Sequence, residues 1–264
     1  MLADRLPERL VVSGVGMDVM SSHATRIVAT LLGGIILGLN NEYLLLGLLS
    51  VLYLGPGLFL IFEKDVSLPQ STGPLVVLGS VLRQAKNKHA ILTVLLLTPV
   101  YNIFVLPYLA LIALLFLEKF GTSETAAATL SSVEGIGALF GGFLISSITM
   151  IRPKRLFVLS NASLLLLLIF MSNSPYLLGL TIGLFLSGMF SSIYSSMQST
   201  LVYVASEIEL RSPTFSLMTM AIGSGSIGAL NVAWMGNYFS VSELVMIMAL
   251  EGCIFLFIIL KKKF

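Results

Sequence analysis

Glu134 is a carboxylate inside a long apolar run, and an ionisable group in hydrocarbon is expensive unless it faces water or a partner. Ala127, Ser131, Gly135, Ala138 and Gly142 recur around it at three- and four-residue intervals, which on a helix gives one small, partly polar face. In its functional reading Glu134 faces a cavity, where it exchanges a proton or attracts a cationic substrate. In its structural reading the helix is shifted by a turn and the carboxylate snorkels to the interface. A second set, Thr181, Ser187, Ser191, Tyr194, Ser195 and Gln198, mostly keeps helical spacing, so many hydroxyls and one amide share a sector. That sector reads either as the lining of a translocation path or as interhelical hydrogen bonding, worth about 0.6 kcal/mol per bond in a membrane. Tyr101 and Asn102 lie between Pro99 and Pro107. Two prolines free backbone carbonyls and bend a helix, making a gate or cavity wall, or simply a bent helix with Asn102 bonded to a neighbour. Asn231 completes the polar pathway candidates. Glu251, mid-run beside Gly252 and Cys253, reads as structural or interfacial, and Arg26 as a snorkelling cation.

The elements that carry these residues are membrane-spanning helices. Of the 264 residues, 56% are hydrophobic and 11% charged, too few polar groups to solvate a soluble globule of that length. About 20 apolar helical residues cross a hydrocarbon core of ~30 Å, and such runs cover 21–39, 43–62, 90–117, 123–149, 155–172, 175–202, 211–237 and 240–260. Their length and uniform apolarity fit helices rather than barrel strands. Glu134 then lies about eleven residues into its span, ~16 Å along the axis and near the bilayer centre. The chain divides into 1–62, an N-terminal segment with two spans; 63–89, a linker with a possible amphipathic piece, LVVLGSVLRQAKNKHA; and 90–264, six spans and a Lys-rich tail. Short connections among the six predict sequential antiparallel neighbours.

Cations set the orientation. Arg5 and Arg9, then Lys64, Arg83, Lys86 and Lys88, then Arg152, Lys154 and Arg155, then Arg211, and finally Lys261, Lys262 and Lys263 all fall in gaps on one side. The opposite gaps hold only Lys119, which predicts cytoplasmic termini for a multi-pass protein of the plasma membrane. The net charge of +2 is therefore a topology signal meeting an anionic leaflet, not a nucleic-acid footprint. Gly34 and Gly38, Gly137 and Gly141, and Gly225 and Gly228 have the spacing that lets helix backbones approach closely.

Enzymatic readings find little support. His23 and His89 sit near the predicted cytoplasmic ends, too few and too shallow for an intramembrane metal or haem site or for the base of a serine protease. No Gly-rich phosphate loop of an ATP-driven pump appears. The expectation is no enzyme, no cofactor and no metal.

Three stretches resemble the major facilitator superfamily, within it the drug- and siderophore-exporter-like branch. Residues 6–38, LPERLVVSGVGMDVMSSHATRIVATLLGGIILG, are similar to that branch's connection from the fourth to the fifth helix. Residues 131–157, SSVEGIGALFGGFLISSITMIRPKRLF, resemble its eighth helix and the basic loop that follows. Residues 210–236, LRSPTFSLMTMAIGSGSIGALNVAWMG, resemble its eleventh. The resemblance implies an all-α fold whose eight spans match helices five to twelve, with the first four absent. It implies that the sector around Ser191 belongs to a cavity-facing tenth helix and Glu251 to a peripheral twelfth. The function it implies is secondary active transport, proton-coupled efflux of small amphipathic molecules with the proton as coupling ion, by a chain working alone or with a missing N-terminal half or second subunit. The alternative is a truncated, non-transporting membrane protein with a packing or partner-binding role, which a start within what resembles a cytoplasmic loop favours.

Overall fold

The computed structural model describes residues 74–147 and 152–263 throughout and isolated helical positions between 14 and 54. The runs 21–39 and 43–62, with Arg26, Gly34 and Gly38, lie largely or wholly outside the described residues. Among those described, every regular element is helical. The helices are α1 (Pro74–Asn87), α2 (His89–Val100), α3 (Tyr108–Phe120), α4 (Glu124–Ser131), α5 (Val133–Ser147), α6 (Pro153–Asn173), α7 (Leu177–Ala205), α8 (Arg211–Ile222), α9 (Gly225–Met235) and α10 (Val241–Lys263). They build six segments long and apolar enough to cross a membrane: His89–Phe120, Thr125–Ser147, Pro153–Asn173, Leu177–Ala205, Ile208–Met235 and Val241–Lys262. Each coincides within a few residues with one of the last six runs.

Three of the six are interrupted, the first for a local reason. Between α2 and α3 the chain makes a π turn, Tyr101–Val105, in which the Leu106 amide donates to the Tyr101 carbonyl at 2.8 Å. Pro107 has no N–H for the Ile103 carbonyl, and the wider turn shifts the register around that gap. Gly228 of α9 fills the other side: a Cβ built on it would sit 2.3 Å from the Ile103 carbonyl oxygen, so only a glycine lets α9 lie on the exposed backbone. A second break falls at Ser132, between α4 and α5, and a third at Gly223 and Ser224, between α8 and α9.

The packing order departs from the sequential antiparallel arrangement that the short connections predict. α5 and α6 scarcely touch; the most extensive contact joins α5 to α7, two spans apart and therefore parallel, and α6 packs on another side of α7. The cause is side-chain size. Gly137 lies against the Phe185 carbonyl, Gly141 against that of Met189, and Gly188 against that of Glu134, so the two backbones meet along a face with almost no side chain between them. α6 offers Phe157, Leu164, Leu165 and Leu168 instead, all fully buried, and packs by ordinary apolar interdigitation.

Charges at the helix ends are put to structural use. Lys119, the one cation in the connections on its side, donates to the Ser172 carbonyl at 2.5 Å at the C-terminal end of α6, where the helix dipole favours a cation. Glu118 accepts from the Val241 amide at 3.3 Å, and Ser240 and Glu243 close a capping box at the start of α10. At the other end, Arg211 donates to the Tyr203 carbonyl at 3.0 Å with its guanidinium 3.9 Å from the Tyr203 ring centroid. Arg152 precedes α6, whose first residue is Pro153. Arg155 and Lys154 follow in its first turn, and α10 runs out through Lys261, Lys262 and Lys263.

Candidate functional site

α7 is the hub of the bundle, with two faces of distinct chemistry. Its first face carries Ser187, Ser191, Tyr194 and Gln198 toward the span His89–Phe120. There Tyr101 and Ser191 share a hydrogen bond of 2.7 Å, and Tyr108 and Ser187 one of 2.8 Å. Ser187 donates its own proton to the Leu184 carbonyl at 2.8 Å, so Tyr108 is the donor in that pair. Gln198 Nε2 donates to Thr98 Oγ1 at 2.7 Å and lies 3.4 Å from Tyr194 Oη. The Tyr101 ring stacks on Tyr194 at 4.1 Å between centroids, and Tyr194 on Phe157 at 4.7 Å, so one aromatic stack ties three spans together. No member of this ladder is more than 7% exposed.

The second face continues from Gly188 through Ser192 and Ser196, four residues apart, with Thr200 a further turn on. All three hydroxyls are fully buried and have no hydrogen-bond partner among the described residues. Asn161 on α6 adds a fourth such atom: its Nδ2 donates to the Leu97 carbonyl at 3.3 Å, while its Oδ1 is unpartnered. Buried polar atoms normally find partners, and four left over around one helix are a local reserve of hydrogen-bonding capacity.

Glu134 stands in the first turn of α5, 6% exposed, with its carbonyl oxygen against Gly188. Gly188 is flanked in sequence by Ser187, so the carboxylate-bearing turn adjoins the ladder through the α5–α7 contact. The remaining candidates separate. Asn102 turns away from its neighbour Tyr101: its Nδ2 donates to the Thr98 carbonyl at 2.8 Å, and its Cβ lies near Gly225 of α9. Asn231 of α9 donates to Glu251 Oε2 of α10 at 3.4 Å, which joins a residue expected on a pathway to one expected at the periphery. Both are half-buried. Thr98 and Tyr108 are members of the ladder that the sequence reading did not single out, although 98, 101 and 108 share one side of a helix by spacing alone.

No family model, curated protein or solved structure matches this chain.

Proposed function

We propose that the chain is a secondary active transporter of the major facilitator type, coupling proton movement to efflux of small amphipathic molecules across the plasma membrane. The observation that carries this reading is the buried carboxyl residue Glu134, whose backbone meets Gly188 of α7, a helix that also buries hydroxyls without partners among the described residues. A mid-span carboxyl is costly, and transporters use such groups as proton and substrate sites. The π turn and its bounding prolines supply a hinge beside the ladder, since irregular backbone at membrane depth tolerates changes of register. Alternating access would move the face of α7 that carries the ladder relative to the span His89–Phe120. Both termini are assigned to the cytoplasm by the distribution of Lys and Arg.

A second reading is favoured by one feature: the ladder is closed, with Tyr101 bonded to Ser191, Tyr108 to Ser187 and Gln198 to Thr98. On that reading the protein is a non-transporting membrane component and the ladder only fastens spans together. Flux separates the two. Full-length protein in vesicles with an acidic lumen should accumulate a lipophilic cationic dye above the level of protein-free vesicles. Equal accumulation in both would remove the transport reading.

Orientation is tested independently. In a Cys253→Ser background, Tyr176→Cys should react with an impermeant thiol reagent in intact cells, and Arg155→Cys only after permeabilisation. Tyr176 is suited to the purpose because it is 73% exposed at the start of α7. Reaction of the Arg155 position from outside would reverse the topology.

A further inference from the structure

α1 has three faces, and only one is explained by the bundle. Val81, Gln84 and Ala85 are buried against the spans, Leu78 and Leu82 are exposed, and Gly79, Arg83 and Asn87 form an exposed stripe at four-residue spacing. That stripe is one wall of a crevice of about 560 Å³ whose other wall is Glu207 and Leu210, in the connection from α7 to α8. The volume is that of a small-molecule site. Gly79 keeps the wall open: a Cβ there would have nothing within 4 Å.

The lining itself carries one cation, Arg83, and one carboxylate, and Lys88 beside it tips the local charge to positive. That carboxylate, Glu207, is held by Lys88 at 3.3 Å, while Arg83 on the facing wall has no acidic partner among the described residues. Gln84 sits at the base, 5% exposed. It touches Thr214 through one amide atom at 3.3 Å, and Nε2 is unpartnered among the described residues. Because Thr214 gives its proton to the Leu210 carbonyl at 2.7 Å, one atom of the Gln84 amide is left over whichever way that amide is turned. Leu78 and Leu82 project beside the crevice and form the apolar side of an interfacial helix.

We propose that this crevice binds a phosphate group, with Arg83 as its counter-ion. A planar guanidinium matches two phosphate oxygens at once, and the neighbouring Lys86 adds to the field. The same chemistry could be presented by the headgroup of an anionic phospholipid or by soluble phosphate, and the adjacent leucines favour the lipid, whose chains would lie along them. The site does not depend on the transport reading.

The test measures the melting temperature of the full chain in neutral detergent. Dioleoylphosphatidylglycerol, dioleoylglycerol without phosphate, and inorganic phosphate are each titrated against the wild type, Arg83→Gln and Gly79→Leu. Phosphatidylglycerol should give a saturating stabilisation that dioleoylglycerol does not, with a half-saturating concentration raised roughly tenfold or more in Arg83→Gln. Gly79→Leu, which fills the wall and leaves the Arg83 charge in place, should abolish the shift, and it keeps the test decisive if Arg83→Gln is unstable. An Arg83-dependent shift with inorganic phosphate and none with the lipid would also support the site and assign it a soluble ligand. Shifts that are unchanged in both variants, or absent with both phosphate probes, overturn the proposal.

Discussion

Gly188→Ala should lower the melting temperature of the purified protein by roughly 6–12 °C, on the basis of about 3 kcal/mol of overpacking and ~2–4 °C per kcal/mol for a chain of this size. The added methyl has nowhere to go. A Cβ at 188 would stand 1.8 Å from the Glu134 carbonyl oxygen, 2.8 Å from its carbon and 2.9 Å from the Ala138 nitrogen, all backbone atoms of α5 that no rotamer change can move. Relief requires separating α5 from α7, which would also draw Gly137 and Gly141 away from the carbonyls of Phe185 and Met189. Gly188→Leu should leave no folded monomer on size-exclusion chromatography. The control is Gly225→Ala, where the nearest atom to a new Cβ is 3.5 Å away, an ordinary contact, and the melting temperature should hold within about 2 °C. Gly228→Ala, only three residues on but 2.3 Å from the Ile103 carbonyl oxygen, should behave like Gly188→Ala. If Gly188→Ala melts with the wild type, α5 and α7 are not in backbone contact.

That set of glycines marks the limit of what could be read without coordinates. Apolar length located six spans closely, because the bilayer imposes one dimension on every crossing segment. The break near Tyr101 was foreseeable too, since Pro107 removes a specific amide and the backbone must answer locally. Small-xxx-small spacing identified Gly137 and Gly141 as packing candidates, but spacing cannot say against what. Gly188 has Leu184 and Ser192 four residues to either side and was not singled out, yet it makes the tightest approach of the described glycines.

Partners were the illegible part. Ser191 and Gln198 were recognisable as a polar sector, but their bonds run to Tyr101 and Thr98, 90 and 100 residues earlier. The pairing of Asn231 with Glu251 had no sequence signal, because one lies in a Gly- and Ser-rich helix and the other in a Leu- and Ile-rich one. The exception among the cations, Lys119, looked like noise in the charge pattern. In the fold it caps α6, and this interaction is local to the helix end and independent of which side of the membrane it occupies.

Glu134→Gln should reduce proton-driven efflux to the background of protein-free vesicles while leaving folded yield and melting temperature near those of the wild type. Gln keeps the size and the hydrogen-bonding reach of Glu, and it leaves in place the approach of the Glu134 backbone to Gly188. What it removes is the ability to release and rebind a proton, the one capacity the transport reading assigns to this side chain. Glu251→Gln is the matched comparison, since it too alters a mid-span carboxyl, here one hydrogen-bonded by Asn231 at 3.4 Å at the α9–α10 contact. It should change stability by about 1 kcal/mol or less and leave pH-dependent efflux in place. Measuring uptake in vesicles over a series of imposed pH gradients distinguishes a lost coupling group from a damaged fold, because a damaged fold lowers flux at every gradient together with the folded fraction. Wild-type flux by Glu134→Gln at all gradients would make Glu134 a packing residue of the α5–α7 contact, and the search for the proton site would then move to Glu251.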